Sequence, residues 1–258
     1  MDNSANPTSP NSLEAARRSL PSSDIWAADI LIHNDEGLAV ALAIKARTAY
    51  AVSDGSYKDQ RGTSAFLLQG PDGTNGRILG MNEIPGSDQD QSPYRAELGG
   101  ILGVIATVNC LCRLHSISSG AIECRLDGEQ AMKHASGSNP LDPQQPSFDL
   151  LVDIRNKIKQ SPLVWSFAWV EGHQVKRNGT EDFWGVLNNV CDSVAKVYWN
   201  QVSLERPTRK NFRFGDEGWS VYFQQEKLAK MPIVDLYNIT YGEHTSKPYW
   251  IKKHDIVP

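Results

Sequence analysis

Cysteine is scarce: four in 258 residues, at positions 110, 112, 124 and 191, and none in a C-x-x-C pair. That spacing argues against a zinc module and favours small core residues in a reducing compartment. Reading Cys110, Cys112, His115 and Cys124 as a metal cluster is the weaker alternative. Basic charge is not in excess either. Lys and Arg total 26 against 30 Asp and Glu, for a net charge of -4 and a pI of about 5.9. Nothing global therefore announces a nucleic-acid binder, and only local basic patches remain open to that role. The first thirty residues lack a basic end followed by an apolar core, so no secretory signal is expected. The Asn-x-Thr triplets at Asn178 and Asn238 then read as coincidence. The longest apolar stretch, Leu98 to Leu111, is broken by Gly99, Gly100, Gly103, Thr107 and Asn109 and is short for a bilayer. No membrane role and no internal repeat is expected. The composition that remains, 40% hydrophobic and 22% charged, fits a soluble globular protein.

Residues 1–23 are rich in Ser, Pro and Asn and read as a disordered leader or linker. Together with the abrupt end, this start suits a fragment of a longer reading frame. Residues 24–47, with Trp26, Ile30 to Ile32 and the run Leu38 to Ile44, read as a helical N-terminal extension. A mixed α/β domain is expected from 48 to 200. It begins with three meander strands: one carrying Asp54, one over Gly62 to Gly70, and one over Gly76 to Met81, with Pro71-Asp-Gly as a turn. Ser92-Pro93 then opens a long helix, serine capping and proline suited to the first turn. Its apolar residues Leu98, Ile101, Leu102, Ile105 and Val108 recur at helical spacing, and its glycines permit close packing on the sheet. A fourth strand spans Ala121 to Leu126 and is followed by a short helix to about Ala135. A second helix covers Phe148 to Lys159, and a fifth strand runs from Leu163 to Val170. Trp165 and Trp169 alternate on that strand and read as core. The last helix runs from Gly185 to Asn200 with Val186, Leu187, Val190, Val194 and Val197 as its apolar stripe. Residues 201–258 read as an appendage, with a basic run from Arg206 to Arg213 and a strand over Gly218 to Phe223.

Four acids stand in or beside apolar elements: Asp54, Glu97, Asp127 and Asp192. A carboxylate there is costly to bury without a positive partner, whether arginine, lysine or a metal ion. Carboxylates converging without a cation raise one another's pKa. Hard divalent cations resolve that repulsion, and two of them can hold both oxygens of a phosphodiester displacement.

The motifs Ser-Asp-Gly-Ser (53–56), Tyr-Arg-Ala-Glu-Leu (94–98), Asp-Gly (127–128), Trp-Val-x-Gly-His (169–173) and Asn-x-x-Cys-Asp-x-x-Ala (188–195) stand in this order. Each alone is weak. Together the set resembles type 1 ribonuclease H, in the flavour of retrotransposon reverse-transcriptase domains. The resemblance covers about 48 to 200. It implies a ribonuclease-H-like α/β fold whose five-stranded mixed sheet, three antiparallel strands then two parallel, is flanked by helices. It also implies metal-dependent cleavage of the RNA strand of an RNA–DNA hybrid. Asp54, Glu97, Asp127 and Asp192 would hold two Mg²⁺, with Mn²⁺ as substitute. His173 would assist proton movement or product release. Asn188, four residues before Asp192, would orient the Asp192 carboxylate or touch the substrate. Backbone groups near Gly55 and Ser56, and the Glu97 carboxylate, would read the 2′-hydroxyl. An upstream reverse-transcriptase polyprotein is the implied partner.

The chain departs from the family in several places. Pro93, Tyr94 and Arg95 stand where cellular members carry paired asparagines, and Arg95 is assigned to phosphate instead. Glu171 adds negative charge near His173, the stretch from His173 to Asp192 is long, and no basic handle lies between 128 and 160. Two other readings are kept beside the enzyme. One is a non-catalytic ribonuclease-H-like module that connects or binds nucleic acid, whose expected signature is a lost acid. The other is a different nuclease or transposase on the same fold.

Overall fold

A computed structural model of the chain describes residues 10–73, 76–142, 144–172, 174, 179–205, 212–215, 221–223 and 226–228. The elements in chain order are α1 (Leu13–Arg18), a 3₁₀ turn (Ile25–Ala28), β1 (Ile30–Ile32), α2 (Leu38–Ala46), β2 (Ala49–Lys58), β3 (Arg61–Gln69) and β4 (Ile78–Glu83). They continue as α3 (Pro93–Leu114), β5 (Ala121–Leu126), α4 (Glu129–Ser136), α5 (Phe148–Gln160), β6 (Val164–Trp169), α6 (Phe183–Glu205), β7 (Val221–Phe223) and β8 (Glu226–Leu228).

The main sheet runs β1-β4-β3-β2-β5-β6. β2, β3 and β4 pair antiparallel, while β2–β5 and β5–β6 pair parallel, as expected from the sequence. A sixth strand departs from the five expected. β1 adds antiparallel to β4, with Ile30 opposite Met81. The apolar triplet Ile30 to Ile32 has β-branched character, and local reading assigned it to a helical preface. Only α2 of that stretch is the expected helix. The leader expectation also changes: within 10–23, Ser12 caps α1 by accepting from the Ala15 amide, and Leu13 and Ala16 are fully buried. Two apolar residues three apart suffice to dock one turn of helix on a core already formed by other elements.

Helices cover both faces of the sheet. On one face α3 lies across β2 and β3, with Leu98, Ile101, Leu102 and Ile105 in the core. Its glycines allow this approach: a Cβ at Gly103 would sit 2.3 Å from the Phe66 ring and one at Gly99 2.4 Å from Ile84. Ser92 caps α3 by accepting from the Arg95 amide at 3.1 Å, and Pro93 occupies the first turn. By length and composition α3 could cross a membrane, but most of it is buried inside the fold.

On the other face α6 buries Leu187, Cys191, Ala195, Tyr198 and Val202 against Val52, Ala65 and Leu67. The expected stripe is corrected in part, because Val186 and Val197 are exposed. Small Cys191 and Ala195 face inward and let the helix axis approach the sheet, with Val190 and Val194 of the stripe partly buried against the same cluster. Trp169, expected in the core, is 47% exposed. β6 is the edge strand of the sheet, and its outer face stays open.

Residues 206–211 of the basic run, 218–220 of the expected strand, and 229–258 lie outside the described residues.

Candidate metal centre

The sheet and its two helix layers bring three carboxylates to one place. Asp54 comes from the far half of β2, Glu97 from the first turns of α3, and Asp127 from the end of β5. One oxygen from each lies within 4.8 Å of the others. Two oxygens on opposite sides of one hard cation stand about 4 to 5 Å apart, so the spread matches a shared ion.

Each carboxylate is held by its own local structure. Asp54 is 5% exposed and pairs across the sheet with Ala65. Asn188 of α6, expected at Asp192, reaches Asp54 instead, Nδ2 donating to Oδ2 at 3.1 Å. Glu97 accepts from the Gly55 amide at 3.1 Å. Glycine is required at 55, because a Cβ there would lie 2.6 Å from the Glu97 nitrogen. The Asp127 carbonyl accepts from the Trp169 indole at 3.0 Å, tying the end of β5 to the edge strand. Two further glycines clear the site. A Cβ at Gly172 would meet Asp127 Oδ2 at 2.2 Å, and one at Gly128 would meet Glu97 Cγ at 2.9 Å.

The electrostatics are those of carboxyl groups crowded together and largely buried. Burial pushes Asp54 up to about 10, and the charges of Glu97, Asp127 and Asp192 push the same way. Burial also raises Glu97 to about 8, followed by the repulsion of Asp127, while the Gly55 amide works against the rise. Glu97 Oε2 is sealed from solvent and has no hydrogen-bond partner among the described residues. A buried oxygen of this kind, beside two more carboxylates, fits a divalent cation.

The fourth acid takes another partner. Asp192 Oδ2 pairs with Lys196 Nζ at 2.7 Å, one helical turn away on α6. It lies close enough to act on Asp54 and Glu97 but is not within the three-carboxylate cluster.

Other expected site residues divide. Ser56 is part-exposed beside the cluster. The Gly55 amide is already engaged by Glu97, so it is not free to read a hydroxyl. Arg95 is a correction. It is 1% exposed, and its guanidinium grips Asp149 at 2.9 and 3.1 Å and donates to the Pro85 carbonyl. A phosphate cannot reach it, because α3 turns this side chain into the interior, away from Glu97. His173 lies outside the described residues. Its neighbour Gln174 is fastened to Asp182, which caps the start of α6 by accepting from the Gly185 amide at 2.7 Å.

Local reading placed Gly128, Trp169 and Gly172 in its motifs without a role at this site and passed over Lys196. The Lys196 partnership was legible as an i,i+4 acid–base pair, and the others follow only from the approach of β5, β6 and α3.

No protein-family model and no curated protein matches the chain. Among solved structures, one likeness is the N-terminal RNase H domain of Rv2228c from Mycobacterium tuberculosis, a fusion with maltose-binding protein. It is 12% identical, covers 60% of this chain and 96% of that one, and has a TM-score of 0.41. A second is LC11-RNase H1, isolated from compost, in complex with an RNA/DNA hybrid: 11% identity, 58% and 94% coverage, TM-score 0.42. A third is RNase H1 of the halophilic archaeon Halobacterium salinarum NRC-1: 17% identity, 60% and 98% coverage, TM-score 0.38. The carboxylates themselves, not these likenesses, carry the functional reading.

Proposed function

We propose that the chain is a divalent-metal-dependent nuclease that hydrolyses the RNA strand of RNA–DNA hybrids. The observation that carries the reading is the meeting of Asp54, Glu97 and Asp127 within 4.8 Å, with Glu97 Oε2 buried and unpartnered among the described residues. The five ordered motifs and the sheet order that they imply support it.

In this reading Asp54, Glu97 and Asp127 hold the cation, Mg²⁺ with Mn²⁺ as substitute, and Asp192 joins them for a second ion. Ions held there would supply Lewis acidity at phosphoryl oxygen and would lower the pKa of a bound water. The protein's own part is orientation and field. Asn188 fixes the Asp54 oxygen, the Gly55 amide fixes that of Glu97, and Trp169 fixes the strand end that bears Asp127. His173 keeps its assignment to proton movement or product release on its motif alone, its unperturbed pKa lying near neutrality. Ser56, beside the cluster, is the candidate contact for the ribose hydroxyl. The retroelement origin, a reverse-transcriptase partner and the cytoplasmic or nuclear setting of an element-derived enzyme rest on the wording of the motifs.

The test is cleavage of an end-labelled RNA in three contexts: hybridised to DNA, single-stranded, and paired with RNA. Each is run with Mg²⁺, with EDTA, and with Asp127→Asn protein. Hybrid-only, metal-dependent cutting that vanishes in the variant is expected. Folded protein that cuts none of the three with either Mg²⁺ or Mn²⁺ would overturn the enzyme reading in favour of a binding module.

A further inference from the structure

The C-terminal segment reaches back into the fold at the base of α3. Phe214 is buried against Trp26, with ring centroids 5.8 Å apart. Lys227 of β8, 4% exposed, places Nζ 3.1 Å from Asp149 Oδ2, the oxygen that also accepts from Arg95 Nη2. Phe214 lies beneath both cations, 4.5 Å from Lys227 Nζ and 5.7 Å from the Arg95 guanidinium. Burial works to raise the Asp149 carboxyl, but Arg95 and then Lys227 overrule it and hold it low. The charged form is therefore the one this packing is built around.

The position of this cluster gives it a consequence. Arg95 lies two residues before Glu97 in the first turns of α3, and the two side chains leave the helix on different sides. Glu97 faces Gly55 and the carboxylate cluster, while Arg95 faces Asp149 of α5 and Lys227 of β8. Between them the helix backbone rests directly on β2, where Gly55 leaves no room for a Cβ. A tilt of this turn that loosens Arg95 also shifts the Glu97 oxygen against the Gly55 amide.

The geometry points to Lys227, Phe214 and Asp149 as positioning residues for the metal centre: through Arg95 they fix the turn of α3 that presents Glu97. The appendage after the last helix is then part of the working domain. This rests on the metal-site reading above.

Full-length Lys227→Met keeps the length of the side chain and leaves Asp149 paired with Arg95, so it is a milder lesion than removal of Arg95. Two quantities are measured on it: hydrogen exchange at the Gly55 amide, and Mn²⁺ affinity by calorimetry. The expected result is several-fold faster exchange at Gly55, with Gly62 unchanged because its amide donates to Gln91 instead, and several-fold weaker Mn²⁺ binding. Lys227→Arg is expected to restore both to within about twofold, since it keeps the charge. Phe214→Leu, which removes the ring but keeps the burial, is expected to show the same two changes in smaller degree. A lowered melting temperature with unchanged Gly55 exchange and Mn²⁺ affinity would show the cluster to be structural only. Wild-type protein that binds no Mn²⁺ would overturn the metal-site reading and this inference with it, whereas intact wild-type binding with unaltered variants overturns this inference alone.

Discussion

Asn188 and Asp54 lie 134 residues apart in sequence and meet at 3.1 Å, amide nitrogen to carboxylate oxygen, with both side chains buried. The contact joins the last helix to the first strand of the meander and aims Asp54 at Glu97 and Asp127. Asn188→Ala is expected to weaken divalent-ion binding by roughly 10-fold or more, the usual loss when a group that orients a ligand is removed. Asn188→Asp adds a fourth carboxyl to the cluster and removes the amide donor from Asp54, and is expected to destabilise metal-free protein further. Calorimetric titration with Mn²⁺ and melting curves in EDTA check both. Unchanged affinity in Asn188→Ala would remove the orienting role.

The raised carboxyls make a signed prediction about pH. Asp54 near 10 and Glu97 near 8 in the fold stand against ordinary values of 3.8 and 4.5. Between those limits the native state binds more protons than the unfolded state, so stability falls as pH rises. Metal-free protein is expected to melt at progressively lower temperature from about pH 5 to pH 9. Saturating Mg²⁺ is expected to flatten or reverse this trend and to release protons on binding near pH 7. Melting temperatures in EDTA and in Mg²⁺ across that range test it, and a flat EDTA profile would contradict it.

Asp127→Asn separates stability from function. It removes a charge that raises both neighbours. Metal-free stability above neutral pH is expected to rise, while stabilisation by Mg²⁺ and hybrid cleavage fall, cleavage by about 100-fold or more. A variant that loses stability and keeps its metal response would mean that Asp127 is no ligand.

Gly172→Ala places a methyl 2.2 Å from Asp127 Oδ2. The crowded atom is the far end of a movable side chain, so the fold survives while the carboxylate is pushed aside. The expected outcome is a melting temperature in EDTA close to wild type with markedly weaker Mn²⁺ binding. Equal loss of both would point to a backbone fault at 172 instead.

Lys196→Ala releases Asp192 from its pair on α6. The pair is half-exposed, and its loss is expected to change stability by only about 0.5 kcal/mol. The ion requirement is expected to shift, with half-maximal cleavage at lower Mg²⁺, because Asp192 no longer has to exchange one cation for another. A Mg²⁺ titration of hybrid cleavage reads this directly, and an unaltered midpoint would leave Lys196 as surface charge.

Much of this protein was legible along the chain because its signals are local. The Ser92 cap, the Pro93 start and the apolar period of α3 lie within a few turns of one another. A single acid in or beside a mostly apolar strand marked Asp54 and Asp127 as unusual, since a lone buried acid needs a positive partner. The antiparallel meander came from turn signals, and the two parallel strands after it from the resemblance that the motifs carry.

What only the tertiary structure decided lies at long range. Local sequence assigned Arg95 to phosphate. Asp149, 54 residues away, took it into the interior. α6 is apolar on more than one side, so period alone could not choose its buried face, and the small side chains of Cys191 and Ala195 chose it. Trp169 became a surface tie to Asp127 because its strand is at an edge. The triplet Ile30 to Ile32 became a strand because β4 offered an open edge. Phe214 and Lys227 joined the core because a buried carboxylate there accepts two cations. Local propensity acts over three or four residues, whereas the partner of a buried charge is whatever the packing brings to it.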